Sequence, residues 1–295
     1  MRHFGIPAFI IGLTVVAFGT SMPEAAISVT AALTGANGIA VGNALGSNMF
    51  NLLVVLGASS LIKECPVSQD TLRLEYPVSI VAAGMLLVMS LSAGTDRSMF
   101  NAGVVSRIDG LVLLTVFVIF MTLTVKKAMR EDGELICEEE SNNGKGSLFK
   151  PVIGSAIGLV GIVLGGDLVV KSAAAIARDF GIDEILIGLT IVALGTSLPE
   201  LVISIVAAVK GETDIAVGNV IGSNIFNLLL VIGLSASIHP IAITMFSIYD
   251  LIILIAASII VLIPLARKQM ITRGWGALLL IMYGGYLAYI IVRTL

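Results

Sequence analysis

The chain has 295 residues, of which 57% are hydrophobic and 13% charged, where a soluble domain carries about 25% charged residues. Mean hydropathy is +1.04, and apolar runs recur near or above the roughly 18 to 20 residues that cross a bilayer as helix. An ordinary soluble protein is thereby excluded. The net charge of -3 gives no basic field for nucleic acid. Cys65 and Cys137 stand apart in polar connections, with no metal-ligand or disulfide pattern.

Hydropathy predicts nine transmembrane helices, near 9–33, 39–62, 76–93, 110–126, 151–177, 184–209, 215–238, 246–266 and 275–292. The fold class is therefore an all-α polytopic membrane protein. Met1-Arg2-His3 and the apolar run behind it resemble a secretory signal, but the same run returns as an internal helix, so it is read as a span. The long polar stretch Lys126 to Lys150 contains Glu131, Asp132, Glu134, the run Glu138 to Glu140 and Asn142-Asn143-Gly144. That composition cannot bury a core and reads as a solvated linker; it lacks the ligand spacing of a calcium loop. The expected organisation is a first membrane repeat over 1–126, a linker over 127–150 and a second membrane repeat over 151–295.

An internal repeat dominates the chain. Phe4 to Ile62 aligns without a gap on Phe180 to Ile238: GLTVVAFGTSMPE at Gly12 matches GLTIVALGTSLPE at Gly188, and IAVGNALGSNMFNLL at Ile39 matches IAVGNVIGSNIFNLL at Ile215. From Gly12 to Ile62 about three-fifths of positions are identical, including polar ones that membranes normally exclude. Five predicted spans separate the starts of the copies, and an odd number of crossings reverses direction. The copies therefore form an inverted repeat, the sequence signature of secondary transporters with a midplane site at the repeat interface.

Each copy carries one intramembrane acid, Glu24 or Glu200, inside Gly-Thr-Ser-X-Pro-Glu. Such an acid costs roughly 2.5 to 3.5 kcal/mol on insertion scales, so two at equivalent positions call for a compensating partner. Lys171 has no counterpart in the other copy, which makes a bound cation the better partner. Pro23 and Pro199 lack an N–H and are expected to leave carbonyls free near Ala17 to Thr20 and Ala193 to Thr196. Thr20 and Glu24 lie one helical turn apart, as do Thr196 and Glu200, so hydroxyl, carbonyl and carboxylate can share a face. In the second motif, Ser47 and Asn51 are i and i+4, as are Ser223 and Asn227; Gly42, Gly46, Gly218 and Gly222 are read as packing glycines. For the Ser and Asn residues, interhelical hydrogen bonding is the plainer alternative to ligation. Two carboxylates with several neutral oxygens match the 6 to 8 hard oxygens of calcium and neutralise one divalent ion.

The two GTSxPE and two GNxxGSNxFN segments resemble those of the cation/calcium exchanger family, in its prokaryotic sodium/calcium exchanger branch related to the potassium-dependent exchangers. The likeness extends over essentially the whole chain. It implies antiport of sodium and calcium through one central cluster of sites, no enzymatic activity, no cofactor, and no obligatory protein partner beyond the bilayer of a prokaryotic cell (inner) membrane. Carried over, it makes Glu24 and Glu200 shared metal ligands, Thr20 and Thr196 carbonyl ligands, and Ser21, Ser197, Ser47 and Ser223 sodium ligands. Asn51 and Asn227 fall near the middle, and the carbonyls of Ala17 and Ala193 join the sodium sites. Many members carry Asp at one of the positions of Asn51 and Asn227, which leaves stoichiometry and a potassium requirement open. Proton/calcium members tend to show Gly-Asn-Ala-X-Glu, whereas Gly42-Asn43 and Gly218-Asn219 lead to Gly46 and Gly222, which favours sodium as the driving ion.

Two other classes of membrane protein can carry intramembrane acids. A channel could use the acids as a selectivity ring. An intramembrane hydrolase would need a nucleophile and base, and His3 and His239 both fall at span ends. Basic residues near span ends set orientation: Arg2, Lys63, Arg73, Lys126, Lys127, Arg130, Lys145, Lys150, Lys210, Arg267, Lys268 and Arg273 share one side, against Arg97, Arg107, Lys171, Arg178 and Arg293. A cytoplasmic linker and an external C-terminus are expected. The second copy is preceded by a span containing Gly166-Asp167, whereas the first has only Arg2-His3-Phe4-Gly5 before it, so nine helices of an expected ten are predicted.

Overall fold

The computed structural model describes residues 16–35, 37–69, 71–92, 103–135 and 193–294, together with ten helical positions between 154 and 179. The lead-in of the first repeat, most of the linker and Lys171 lie outside the described residues. In chain order the elements are α1 (Ala17–Thr20), α2 (Met22–Leu33), α3 (Asn37–Phe50), a wide π segment (Asn51–Val55) and α4 (Leu56–Ile62). There follow β1 (Cys65–Pro66), a second π segment (Thr71–Glu75) leading into α5 (Tyr76–Ser92), β2 (Gly103–Val105) and α6 (Arg107–Leu135). The second half holds α7 (Ala193–Thr196), α8 (Leu198–Lys210), α9 (Thr213–Ile225), a third π segment (Phe226–Val231) and α10 (Ile232–Ile238). It ends with β3 (Ile241–Ile243), α11 (Met245–Lys268), β4 (Met270–Ile271) and α12 (Arg273–Thr294).

Among the described residues six helices are long and apolar enough to span a bilayer. The two that carry the GNxxGSNxFN motifs, Gly38–Ile62 and Thr213–Ile238, bury 78% and 89% of their most apolar window. Arg107–Lys126 and Arg273–Arg293 bury 28% and 22%, so the motif helices form the centre and the last helix of each half forms the rim. Helix α6 runs on to Leu135, past the expected span end at 126. The expected spans 9–33 and 184–209 are interrupted: Ser21 (φ -84°, ψ 4°) and Ser197 (φ -89°, ψ 6°) leave the helical region just before Pro23 and Pro199. A proline is accommodated in the first turn of a helix and disrupts an interior, so each GTSxPE motif starts a new helix, α2 or α8, at its serine.

Among the described residues, four strands of two or three residues add antiparallel clasps to the expected helices. Strand β1 pairs with β4 through Cys65–Ile271 and Pro66–Met270, and β2 pairs with β3 through Gly103–Ile243 to Val105–Ile241. Helix α11 joins β3 to β4 and has 24 residues, about 36 Å of rise, so the two clasps lie on opposite membrane faces. Helix α4 ends at the β1–β4 face and α10 at the β2–β3 face. The two motif helices therefore run oppositely, as an inverted repeat requires. The β1–β4 face gathers Lys63, Arg267, Lys268 and Arg273, and Lys63 reaches Gly211 beside Lys210; Arg107 donates to the Ile238 carbonyl at the other.

The halves are interleaved. Helix α12 packs on α4 and α6 packs on α10, each rim helix against the motif helix of the other half. Both contacts are glycine crossings. A Cβ on Gly276 would stand 2.7 Å from the Gly57 carbonyl, and one on Gly110 would stand 2.8 Å from the Gly233 carbonyl. Backbones approach this closely only where side chains are absent. One contiguous apolar core, with Leu45, Met49, Leu52, Leu53, Ile225, Leu228 and Leu229 among its most buried members, surrounds the motif helices.

Candidate functional site

The two broken spans meet the two motif helices crosswise. Helix α1 packs on α9, and α7 packs on α3, so each GTSxPE segment faces both copies of the second motif. Ser21 Oγ donates to Glu200 Oε1 at 3.1 Å, and Ser197 Oγ donates to Glu24 Oε1 at 3.0 Å. The same oxygens take a second, longer bond from their own half: Ser47 to Glu24 Oε1 and Ser223 to Glu200 Oε1, both at 3.4 Å. Each carboxylate is thus held by one serine of each repeat. Glu24, Glu200, Ser47, Ser197 and Ser223 are fully buried and Ser21 nearly so.

The other oxygen, Oε2, of both glutamates is buried with no hydrogen-bond partner among the described residues. A buried carboxylate oxygen with neither donor nor cation is costly. No basic side chain among the described residues bonds either acid. The surrounding groups are hydroxyls, amides and carbonyls, and among the described residues no group of three or more His, Cys, Asp or Glu is gathered that could hold a metal ion. An all-oxygen set of this kind suits hard cations rather than zinc or copper.

Asn51 opens the first-half π segment and Asn227 is the second residue of its counterpart. Such wide turns frequently mark functional sites. Both side chains are fully buried, and neither their Nδ2 nor their Oδ1 has a partner among the described residues. Asn48 Nδ2 donates across the centre to the Asn224 carbonyl at 3.3 Å. Among the described residues, five pairs of buried side-chain atoms without a hydrogen-bond partner are related by the repeat: Oε2 of Glu24 and Glu200, Oδ1 of Asn48 and Asn224, both amide atoms of Asn51 and Asn227, and the hydroxyls of Ser59 and Ser235.

Thr20 Oγ1 lies 3.3 Å from the Ala17 carbonyl, 3.2 Å from Asn219 Oδ1 and 3.5 Å from Ser223 Oγ. Thr196 Oγ1 donates to Asn43 Oδ1 at 3.2 Å. The carbonyl of Ala17, expected to be free, accepts the Ser21 N–H at 3.0 Å, so at least one of its lone pairs is engaged. The carbonyl that Pro23 cannot serve is that of Gly19, four residues back. Ala193 is the first residue of α7, in the position that Ala17 has in α1. Every residue expected to ligate and described with its side chain lies in or beside this cluster.

Sequence reasoning passed over Asn43 and Asn219. Asn43 Nδ2 lies 3.4 Å from the Glu24 carbonyl and 3.3 Å from Ser28 Oγ; Asn219 Nδ2 lies 3.3 Å from the Glu200 carbonyl and 2.9 Å from Ser204 Oγ. Their signal in the sequence is the duplicated Gly-Asn at Gly42-Asn43 and Gly218-Asn219. One buried acid outside the site, Asp250, is matched by Arg293 in a two-bond pair of 2.8 and 2.9 Å.

The sequence matches the sodium/calcium exchanger protein family over residues 1–126 and 150–292. It is 41% identical over 244 residues to the inner membrane protein YrbG of Escherichia coli (strain K12), covering 81% of this chain and 72% of that protein. It is 31% identical over 318 residues to the sodium/calcium exchanger MaX1 of Methanosarcina acetivorans, covering 99% of this chain and 90% of that protein. The fold superimposes on a solved structure of the sodium-calcium exchanger NCX_Mj soaked with 2.5 mM Na+ and 1 mM Sr2+, with a TM-score of 0.81 and 33% identity over 97% of this chain and 88% of that one. With inverted halves, a crossed pair of buried carboxylates and these relatives, the chain belongs to the sodium/calcium exchanger family of integral membrane antiporters.

Proposed function

We propose that the chain exchanges sodium for calcium across the membrane by alternating access to the crossed GTSxPE and GNxxGSNxFN cluster. The observation that carries this reading is the pair of fully buried Oε2 atoms on Glu24 and Glu200, each on a carboxylate tied by serines of both repeats. One calcium ion balances both charges and draws on hydroxyl, amide and carbonyl oxygens for the rest of its shell. Sodium competes for the same oxygens. Two uncompensated carboxylates in a closed, low-dielectric site are expensive, so the site closes and reopens to the other side only when loaded. That condition is obligatory exchange.

The ligand set is Glu24, Glu200, the hydroxyls of Ser21, Ser197, Ser47 and Ser223, the carbonyls of Thr20, Thr196, Ala17 and Ala193, and Asn51 and Asn227 as neutral central groups. Neutral Asn51 and Asn227 and the Gly46 and Gly222 positions favour sodium over protons as the driving ion. The halves act as membrane repeats over 1–126 and 151–295, joined by a cytoplasmic linker over 127–150 in a prokaryotic cell membrane, with the C-terminus external. The clustering of Lys63, Arg267, Lys268 and Arg273 at the β1–β4 face supports that orientation; labelling of Cys137 by an impermeant thiol reagent from outside intact cells would overturn it.

The test is radiocalcium uptake into sodium-loaded proteoliposomes. Uptake is expected with an outward sodium gradient and should vanish when sodium is equal on both sides. Calcium flux that saturates without any counter-ion would replace exchange with a channel. Flux driven equally well by a proton gradient alone would replace the coupling ion.

A further inference from the structure

We infer that Phe18 is a one-sided latch: its ring fastens α1 to the motif helix of the second half, the equivalent Leu194 leaves α7 without such a fastening, and the site therefore opens more readily to one membrane face than to the other. The inference rests on the exchange reading of the cluster. An inverted repeat makes the gate on one side a copy of the gate on the other: parting α1 from α9 opens one path, and parting α7 from α3 opens the opposite one. Were the copies identical in sequence, the two openings would cost the same free energy. A built-in preference for one face arises only where equivalent residues differ.

The serine–glutamate bonds supply no such difference. Ser21 stands 3.1 Å from Glu200 and Ser197 3.0 Å from Glu24, and the bonds from Ser223 and Ser47 are both 3.4 Å. The segments from Ala17 to Glu24 and from Ala193 to Glu200, AFGTSMPE and ALGTSLPE, differ at two positions. Met22 against Leu198 exchanges one flexible apolar side chain for another. Phe18 against Leu194 adds a ring, and that ring stands edge-on to Phe226, with centroids 5.7 Å apart and planes at 61°. Phe226, the first residue of the third π segment, stands edge-on in turn to Phe117 of α6 at 5.0 Å and 74°. Three rings thus run from the broken span through the motif helix to the rim helix. In the other half the last two rings are present, Phe50 against Tyr283 of α12 at 5.7 Å and 73°, and Leu194 holds the position of the third. Phe18 is 50% exposed whereas Phe226 is buried, so Phe18 is the ring that leaves when α1 moves. An edge-to-face pair is favourable beyond the area it buries. Parting α1 from α9 forfeits that pair, and parting α7 from α3 forfeits no ring contact of Leu194.

The test is the ratio of half-saturating calcium concentrations on the two membrane faces, read from sodium-driven radiocalcium uptake into right-side-out and inverted membrane vesicles. Phe18→Leu removes the latch, and Leu194→Phe supplies its missing copy against Phe50. Each is therefore expected to move the ratio in the same direction by about twofold to tenfold, the worth of one aromatic pair. Together they transfer the latch to the other gate, and the doubly substituted protein should move the ratio by about the product of the two factors. Each change installs the residue that the other copy already carries, so assembly is expected to survive. A ring that only filled space would lower maximal rate or thermal stability and leave the ratio unchanged. That result, or opposite movements in the two single variants, overturns the inference while wild-type exchange leaves the functional reading standing. Should Leu194→Phe fail to assemble, Phe18→Leu alone decides, and Phe117→Leu, which removes the ring behind Phe226, should move the ratio the same way by a smaller factor. Absence of exchange in the wild type overturns both readings.

Discussion

Replacing Glu200 by Gln changes one atom and one charge, and the two serine bonds favour one direction for the new amide. Oε1 of Glu200 accepts hydroxyl bonds from Ser21 and Ser223, and a glutamine that keeps both bonds as they stand puts its oxygen there. Its NH2 then takes the place of Oε2, the buried oxygen without a partner, and presents two donors where an ion needs an acceptor. At a calcium–oxygen distance of about 2.4 Å and an effective dielectric of about 20, the lost attraction is about 14 kcal/mol gross for a divalent ion and about 7 kcal/mol for a monovalent one. Restored hydration returns most of either amount. If a third survives, calcium affinity falls by more than about a thousandfold, and calcium loses about twice the free energy sodium does. Sodium-loaded proteoliposomes carrying Glu200→Gln or Glu24→Gln are therefore expected to show no radiocalcium uptake, while size-exclusion chromatography shows an assembled protein. Uptake near the wild-type rate in either variant would refute the shared carboxylate pair.

Asn227→Asp adds a charge at the fully buried second-half π segment, and transport is expected to persist with an altered ratio of sodium to calcium half-saturation; unchanged ion dependence places Asn227 outside the ligand shell. Gly276→Ala puts a Cβ 2.7 Å from the Gly57 carbonyl, and since backbone must move, thermal denaturation in detergent should reveal a loss of about 1 to 3 kcal/mol; an unchanged midpoint shows that the crossing is loose. Burial pushes the Cys65 thiol above its ordinary value, leaving less thiolate at pH 7, so maleimide should label Cys65 slowly until the protein is denatured. Rapid labelling in the folded state would mean that the β1–β4 clasp opens.

Much of this arrangement was legible because the chain states it twice. Glu24 and Glu200, Ser47 and Ser223, and Asn51 and Asn227 stood out because selection against polar groups in a bilayer was overcome at matching places. The breaks at Ser21 and Ser197 do not show in hydropathy, despite Pro23 and Pro199, because a hydropathy window averages one polar turn into its apolar flanks. The π segments were invisible for a different reason: a change of helical register alters backbone bonding without changing composition. Helix α5 and its leading π segment begin at Thr71, earlier than expected, because Arg73 and Glu75 lowered the hydropathy of that turn. Asn43 and Asn219 escaped because their oxygens meet threonines of the opposite repeat, and no local pattern announces a partner in the other half of the chain. The clasps were too short for any strand periodicity.

The crossed serines give a sharper test of the symmetry than the acids do. Ser21 and Ser197 sit at the two breaks and donate to the opposite glutamate at 3.1 and 3.0 Å, whereas the donors from the same half, Ser223 and Ser47, stand at 3.4 Å. Removing a break serine therefore takes away the shorter of two bonds and leaves Oε1 with the longer one. A hydrogen bond to a charged group contributes about 1.5 to 3 kcal/mol, but the neighbouring serine and the bound ion recover part of it, so a net loss of about 1 kcal/mol, or about fivefold in half-saturating sodium, is expected for Ser21→Ala and for Ser197→Ala alike. The two values should agree within about twofold, because the environments are copies. Measuring sodium dependence of calcium uptake for both variants decides the matter. If one is silent and the other abolishes exchange, the two glutamates do not share one ion cluster, and the equivalence of the halves ends at the sequence.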